Sequence, residues 1–120
     1  MSKTILITDD ALFMRHTLKA FLEREGYSVV GEACNGAEAV EKYSAIKPDL
    51  VFMDITMPIM DGIAATRAIR ELDPKAKVIM CTAMGQKNMV VEAMHAGAKD
   101  FIVKPFKPDR VLESIQKLIG

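Results

Sequence analysis

The chain carries no surplus of charge: Lys plus Arg and Asp plus Glu number 16 each. A protein that lives on nucleic acid or on an anionic membrane through bulk charge needs a basic excess, so neither class is expected; a local patch remains open. Cysteine is scarce. Cys34 and Cys81 stand far apart and form no CxxC, which reads as reduced thiols packed as small hydrophobes in a cytoplasmic protein. Neither His16 nor His95 lies at ligand spacing from a cysteine, which argues against zinc, and both read as helix-surface residues. Long apolar runs are missing too. The N-terminus reaches only Ile5-Leu6-Ile7 before it meets Asp9-Asp10, too little for a signal peptide or a membrane span. There is no repeat, low-complexity tract or linker. One domain over residues 1–120 is expected, a monomer with no further domain after Ile119-Gly120; a chain this long buries enough surface to fold on one core without staples.

What is present is hydrophobicity, half of all residues, in two alternating patterns. Short β-branched runs predict strands at 4–8, 28–33, 50–53, 77–81 and 100–103. Between them, apolar residues recur at helical spacing. Ala11 to Glu25 places Met14, Leu18, Phe21 and Leu22 on one face and stops at Gly26. Ala37 to Ile46 turns Ala39, Val40, Tyr43 and Ile46 inward, and Gly62 to Leu72 does so with Ala65, Ile69 and Leu72. Lys87 to Ala96 closes at Gly97. Pro108 opens a last helix carrying Val111, Leu112, Ile115, Leu118 and Ile119. Strands alternating with helices, with near-continuous apolar strands, predict an α/β doubly wound five-stranded parallel sheet, flavodoxin-like, helices on both faces. Right-handed crossovers favour the order 2-1-3-4-5, with ligands beyond the carboxyl ends of the strands at the switch point between strands one and three.

Polar residues gather at those carboxyl ends. Asp9 and Asp10 follow strand one, Asp54 follows strand three, Thr82 follows strand four, and Lys104 with Pro105 follows strand five. A carboxylate at the lip of a buried strand is costly, and several in one pocket raise one another's pKa. A divalent cation resolves the conflict. Oxygen-only ligands in a sparse site favour Mg²⁺, with Mn²⁺ as a substitute. Lys104 and Thr82 at the same rim prepare it for an anion, and with the cation they suit a phosphoryl group. Asp54 is then the natural nucleophile, since carboxylates form acyl phosphates. Taken singly, each residue has a plainer reading. Asp9-Asp10 would cap the first helix, Asp54 would be a turn residue, Lys104 a surface lysine and Thr82 an ordinary strand residue. Capping and turns do not explain why acidic, hydroxyl and basic groups end four strands at one rim.

The motifs "ITDD" (6–10), "MDITMPIMDG" (53–62), "CTA" (81–83) and "KPF" (104–106) together resemble the receiver domains of two-component response regulators. The resemblance spans essentially the whole chain and is strongest to stand-alone chemotaxis regulators. It implies that Asp54 is phosphorylated by a histidine kinase. Asp10, Asp54 and the backbone carbonyl of Thr56 would hold Mg²⁺, with Asp9 assisting. Thr82 would be the switch hydroxyl, Phe101 the switch aromatic and Lys104 the phosphoryl contact, with a cis Lys104-Pro105 bond. Many family members have tyrosine where this chain has Phe101, so the packing half of the switch is retained and recognition through a hydroxyl is not. The partners implied are a flagellar motor switch protein and a phosphatase. A stand-alone phosphorelay carrier remains an alternative.

Two rivals share the chemistry or the fold. An aspartyl phosphohydrolase wants a second Asp two residues after the nucleophile, where this chain has Thr56. A flavin module wants a hydroxyl- and glycine-rich loop after strand one, where this chain is acidic. A docking module with a dead site does not fit the intact acid set. Met84, Met89 and Met94 fall in or near the face of helix four, strand five and helix five. Met94 is expected in the core, Met84 is open between core and an adaptable partner surface, and Thr56 and Met84 stand where they would tune attack of water on an acyl phosphate.

Overall fold

The computed structural model describes residues 2–83 and 86–120, and strand and helix alternate along all of it. In chain order the elements are β1 (Thr4–Thr8), α1 (Leu12–Arg24), β2 (Ser28–Ala33), α2 (Gly36–Ile46), β3 (Leu50–Asp54), α3 (Gly62–Leu72), β4 (Val78–Thr82), α4 (Lys87–His95), β5 (Asp100–Val103) and α5 (Pro108–Ile119). All strand pairs are parallel, in the order β2-β1-β3-β4-β5, as the alternating pattern predicts. Met84, open between core and an adaptable partner surface, lies outside the described residues.

Alternation along each strand divides the interior in two. Leu6, Val51, Met53, Val78 and Met80 face α2, α3 and α4, where they meet Ala39, Tyr43, Ile63, Ala65, Ile69 and Ala93. Ile5, Ile7, Leu50, Phe52, Ile79 and Cys81 face the other way, onto Leu18 and Leu22 of α1 and Val111 and Ile115 of α5. Strands β3 and β4 are buried at every position, which is why their sequences read as unbroken apolar runs. Edge strand β5 alternates instead, with Asp100 and Ile102 buried and Phe101 and Val103 exposed. α1 ends through Gly26, whose φ of 93° is the left-handed conformation that terminates helices at glycine.

Several side chains expected inside lie outside. Ile46 and Leu72 are exposed. Each is the last residue of its helix; Ile46 still reaches edge strand β2, its Cδ1 lying 3.1 Å from where a Cβ on Gly31 would stand. Met94 is exposed as well. Its neighbour Ala93 takes the core position of α4, and one helical step turns Met94 outward. Met89 does pack against the core. The thiols divide: Cys81 is buried and Cys34 exposed, both free, so only Cys81 behaves as a small core hydrophobe. Strands three and four each run one residue further than their apolar stretches, so Asp54 and Thr82 are the last residues of strands and not the first residues of loops. No described helix is long and apolar enough to cross a membrane.

Candidate functional site

Parallel strands deliver their carboxyl ends to one rim, and the register shows how close they come. Thr8 pairs with Met53 across β1 and β3, and Asp54 pairs with Cys81 across β3 and β4. The residue after β1, Asp9, is therefore next to the end of β3. One carboxylate oxygen from each of Asp9, Asp10 and Asp54 lies within 4.8 Å of the others. Lys104, one residue beyond β5, reaches back with its Nζ 2.7 Å from Asp9 Oδ2 and 3.3 Å from Asp54 Oδ1. The bond that follows it, Lys104-Pro105, is cis. The rim thus unites Asp9, Asp10, Asp54, Lys104 and Thr82.

Each group is held by its surroundings. Asp9 is 4% exposed. Its Oδ1 accepts from the Ala11 amide at 2.9 Å, and its carbonyl accepts from Arg15 Nη1 at 2.7 Å. Asp9 thus makes a local side-chain bond two residues on, while its second oxygen is turned to Lys104. It does not cap α1, whose N-cap residue is Ala11 with no side-chain bond. Asp10 is exposed. Asp54 is 8% exposed. The loop after it folds back tightly. Ile55 accepts from the Gly62 amide at 2.8 Å, and Asp61 caps α3 by accepting from the Ala64 amide. Within that loop Ile59 has φ 68° and is exposed, with the Met60 amide donating to the Pro58 carbonyl at 2.7 Å. A β-branched residue in that conformation stores about 1–3 kcal/mol of strain.

Burial raises the Asp54 carboxyl from its ordinary 3.8 to about 6, with the charges of Asp9 and Asp10 adding to the rise and Lys104 opposing it. Desolvation pulls the Lys104 ammonium down, but its hydrogen bond to Asp9 and the charges of Asp54 and Asp9 outweigh that and carry it above its usual range. Near neutral pH three carboxylates therefore face one ammonium, a deficit of two positive charges. The donor set is all oxygen, clustered, and short of two charges, which is what a hard dication requires and what zinc or another soft metal does not favour.

Thr82 is buried, with its hydroxyl donating to Gln86 Oε1 at 2.9 Å and lying 3.2 Å from the Ala83 carbonyl. Phe101 is turned outward, 36% exposed. Between them lies an apolar cleft of about 340 Å³, walled by Thr82, Gln86, Val90, Phe101 and Val103. Thr56, two residues past Asp54, is exposed, and its hydroxyl accepts from Gln86 Nε2 at 3.4 Å. Gln86 lies outside the quoted motifs, and the hydrogen bond from Thr82 is what places its side chain at the rim. His16 and His95 are exposed on α1 and α4.

Residues 5–116 match the family described as response regulator receiver domain. Over 118 residues the chain is 60% identical to the chemotaxis protein CheY of Thermotoga maritima, covering 98% of each chain. It is 60% identical to CheY of Bacillus subtilis over the full length of both. Among solved structures it is similar to a chain of the CheX-CheY-BeF3-Mg²⁺ complex from Borrelia burgdorferi, with a TM-score of 0.93 and 38% identity over 98% of this chain and 90% of that one.

Proposed function

This chain belongs to the receiver domains of response regulators, and from that premise we propose that it is a phosphorylation-activated chemotaxis switch with Asp54 as phosphoacceptor. The observation that carries the reading is the approach of Lys104 to both Asp54 and Asp9 beside a clustered acid set. A lysine and a dication site flanking one buried carboxylate form a cradle for a phosphoryl group.

Asp54 is ionised above about pH 6, so near neutrality its oxygen is a competent nucleophile. It attacks the phosphorus of a phosphohistidine on a separate kinase. The new P–O bond forms as the P–N bond breaks, and the imidazole leaves with its electron pair and is protonated by solvent. Water later attacks the phosphorus, the bond to the carboxylate breaks, inorganic phosphate leaves and Asp54 is restored. Asp10, Asp54 and the Thr56 carbonyl are assigned to Mg²⁺, with Asp9 in support and Mn²⁺ as a substitute. When bound, the ion supplies positive charge to the phosphoryl oxygens. The Borrelia relative was crystallised with Mg²⁺ and beryllofluoride, which supports this assignment. Lys104 supplies the remaining charge.

The signal follows from geometry. A phosphoryl group adds about −1.5 to −2 charges and strong acceptors. Thr82 turns its hydroxyl to them, and the cleft beside Phe101 accepts the ring. That reshapes the face of α4, β5 and α5. Moving a population from 1:99 to 99:1 needs ~5.5 kcal/mol. Two charge-assisted bonds, from Thr82 and Lys104, at ~1.5–3 kcal/mol each come near it. The reshaped face is read by a flagellar motor switch protein, and a phosphatase ends the signal; these partners and a cytoplasmic setting accord with the chemotaxis relatives.

Incubation with acetyl phosphate and Mg²⁺, followed by intact mass measurement, tests the reading. A labile gain of one phosphoryl group, absent in Asp54→Asn, is expected. Full Mg²⁺-dependent labelling of Asp54→Asn rejects it. Rapid multiple turnover of the donor points instead to a hydrolase.

A further inference from the structure

Gln86 is tied into the site on both sides. Its Oε1 accepts from Thr82 Oγ1 at 2.9 Å and from the Ala83 amide at 3.0 Å. Its Nε2 lies 3.4 Å from Thr56 Oγ1 and 3.6 Å from Met89 Sδ. The Ala83 amide only donates, so the amide atom facing it is the carbonyl oxygen, and Nε2 is left to face Thr56 and Met89. One side chain thus links the end of β4 to the loop after β3. The same residue precedes α4, where its backbone carbonyl accepts from the Met89 and Val90 amides at 3.0 and 3.1 Å.

A threonine hydroxyl has one hydrogen. Thr82 gives it to Gln86 Oε1 at 2.9 Å, the nearer of two acceptors, with the Ala83 carbonyl at 3.2 Å, and cannot at the same time donate it to a phosphoryl oxygen. We propose that Gln86 is a positioning residue that latches the resting switch: it holds the Thr82 hydroxyl on its own amide oxygen and must surrender it when Asp54 is phosphorylated. The inference rests on the assignment of Asp54 and Thr82 given above and goes beyond it, by naming what the phosphoryl group competes against. Two consequences follow. The readiness of the switch is set by the strength of the Gln86 contacts as well as by the phosphoryl group. Release of Gln86 also frees the residue from which α4 starts, so the hydroxyl exchange is passed directly to the helix at the reshaped face.

Beryllofluoride titration in Mg²⁺, followed by calorimetry or fluorine NMR, tests the latch in wild type, Gln86→Ala, Thr82→Val and the double variant. Gln86→Leu, which keeps the side-chain bulk without polar atoms, repeats the test, and thermal melts check that each variant folds. Losing the one competing neutral hydrogen bond is expected to tighten beryllofluoride binding by about five- to tenfold in the Thr82 background. In the Thr82→Val background the same change is expected to tighten it by less than about threefold, because the competition has gone. A purely structural role for Gln86 predicts equal effects in both backgrounds. That result, or no tightening in Gln86→Ala, overturns the latch while leaving the phosphoacceptor assignment standing. Failure of wild type itself to take up beryllofluoride overturns both.

Discussion

Replacing Asp54 by asparagine separates the electrostatics of the site from its chemistry. The carboxyl titrates at about 6 in the folded chain against an ordinary 3.8. Folding therefore favours its neutral form, and the ionised form is carried at a cost. At ~1.36 kcal/mol per pK unit, that gap amounts to about 3 kcal/mol once the group is fully ionised. Because the folded value is raised, the cost is absent below pH 3.8, grows as pH rises from there, and is complete above about pH 6. Asparagine keeps the shape and never ionises. With metal chelated, Asp54→Asn is expected to be more stable than wild type by roughly 3 kcal/mol at pH 8, and by roughly half that at pH 5. Below pH 3.8 the two should converge. Urea unfolding across this range measures it, with the midpoint shift read at constant slope. Adding Mg²⁺ to ~100 times its dissociation constant should return about 2.7 kcal/mol to wild type and much less to the variant. If Asp54→Asn is no more stable than wild type at pH 8 in chelator, the carboxylate is not a strained charge and the argument for a neutralising dication fails.

Three further outcomes are expected. Asp100 is buried and accepts from Arg110, Ser114 and the Phe101 amide. Burial would raise its pKa, but those bonds overcome it and hold it at about 2. Asp100→Asn should then cost about 2 kcal/mol at pH 7. Because the folded value is depressed, the loss should shrink as pH falls from 3.8 through about 2, as denaturant melts at several pH values will show. The Thr8 hydroxyl is buried with no hydrogen-bond partner among the described residues. Thr8→Val should hold or raise stability, by up to about 1 kcal/mol, and a clear loss in thermal unfolding would mean the hydroxyl is satisfied. A Cβ on Gly62 would sit 2.0 Å from the Asp54 carbonyl oxygen. Gly62→Ala should cost at least ~1–3 kcal/mol and slow acetyl phosphate labelling; labelling at the wild-type rate with unchanged stability would contradict that contact.

Much of this was legible in the residues. The alternation of apolar runs with helical stripes specified five strands and five helices, and the handedness of crossovers favoured the order the sheet adopts. That order alone brings Asp9, Asp10, Asp54, Thr82 and Lys104 to one edge. Misplaced side chains share a cause. Ile46, Leu72 and Met94 keep the apolar character that periodicity detects, but periodicity does not report how fully the end of a helix is covered or which of two adjacent residues turns inward. Strand ends moved by one residue at Asp54 and Thr82, because backbone pairing continues past the last apolar side chain.

The sequence by itself determined the fold class and the chemical identity of the rim and narrowed the strand order to a few choices, since each depends on residue type and spacing along the chain. Only the tertiary structure decided what those groups do to one another. Lys104 is shared between Asp9 and Asp54, the Asp54 carboxyl is lifted to about 6, and Gln86 takes the Thr82 hydroxyl. Each of these depends on distances of a few ångströms and on exclusion of water, between residues whose separation in sequence carries no trace of either.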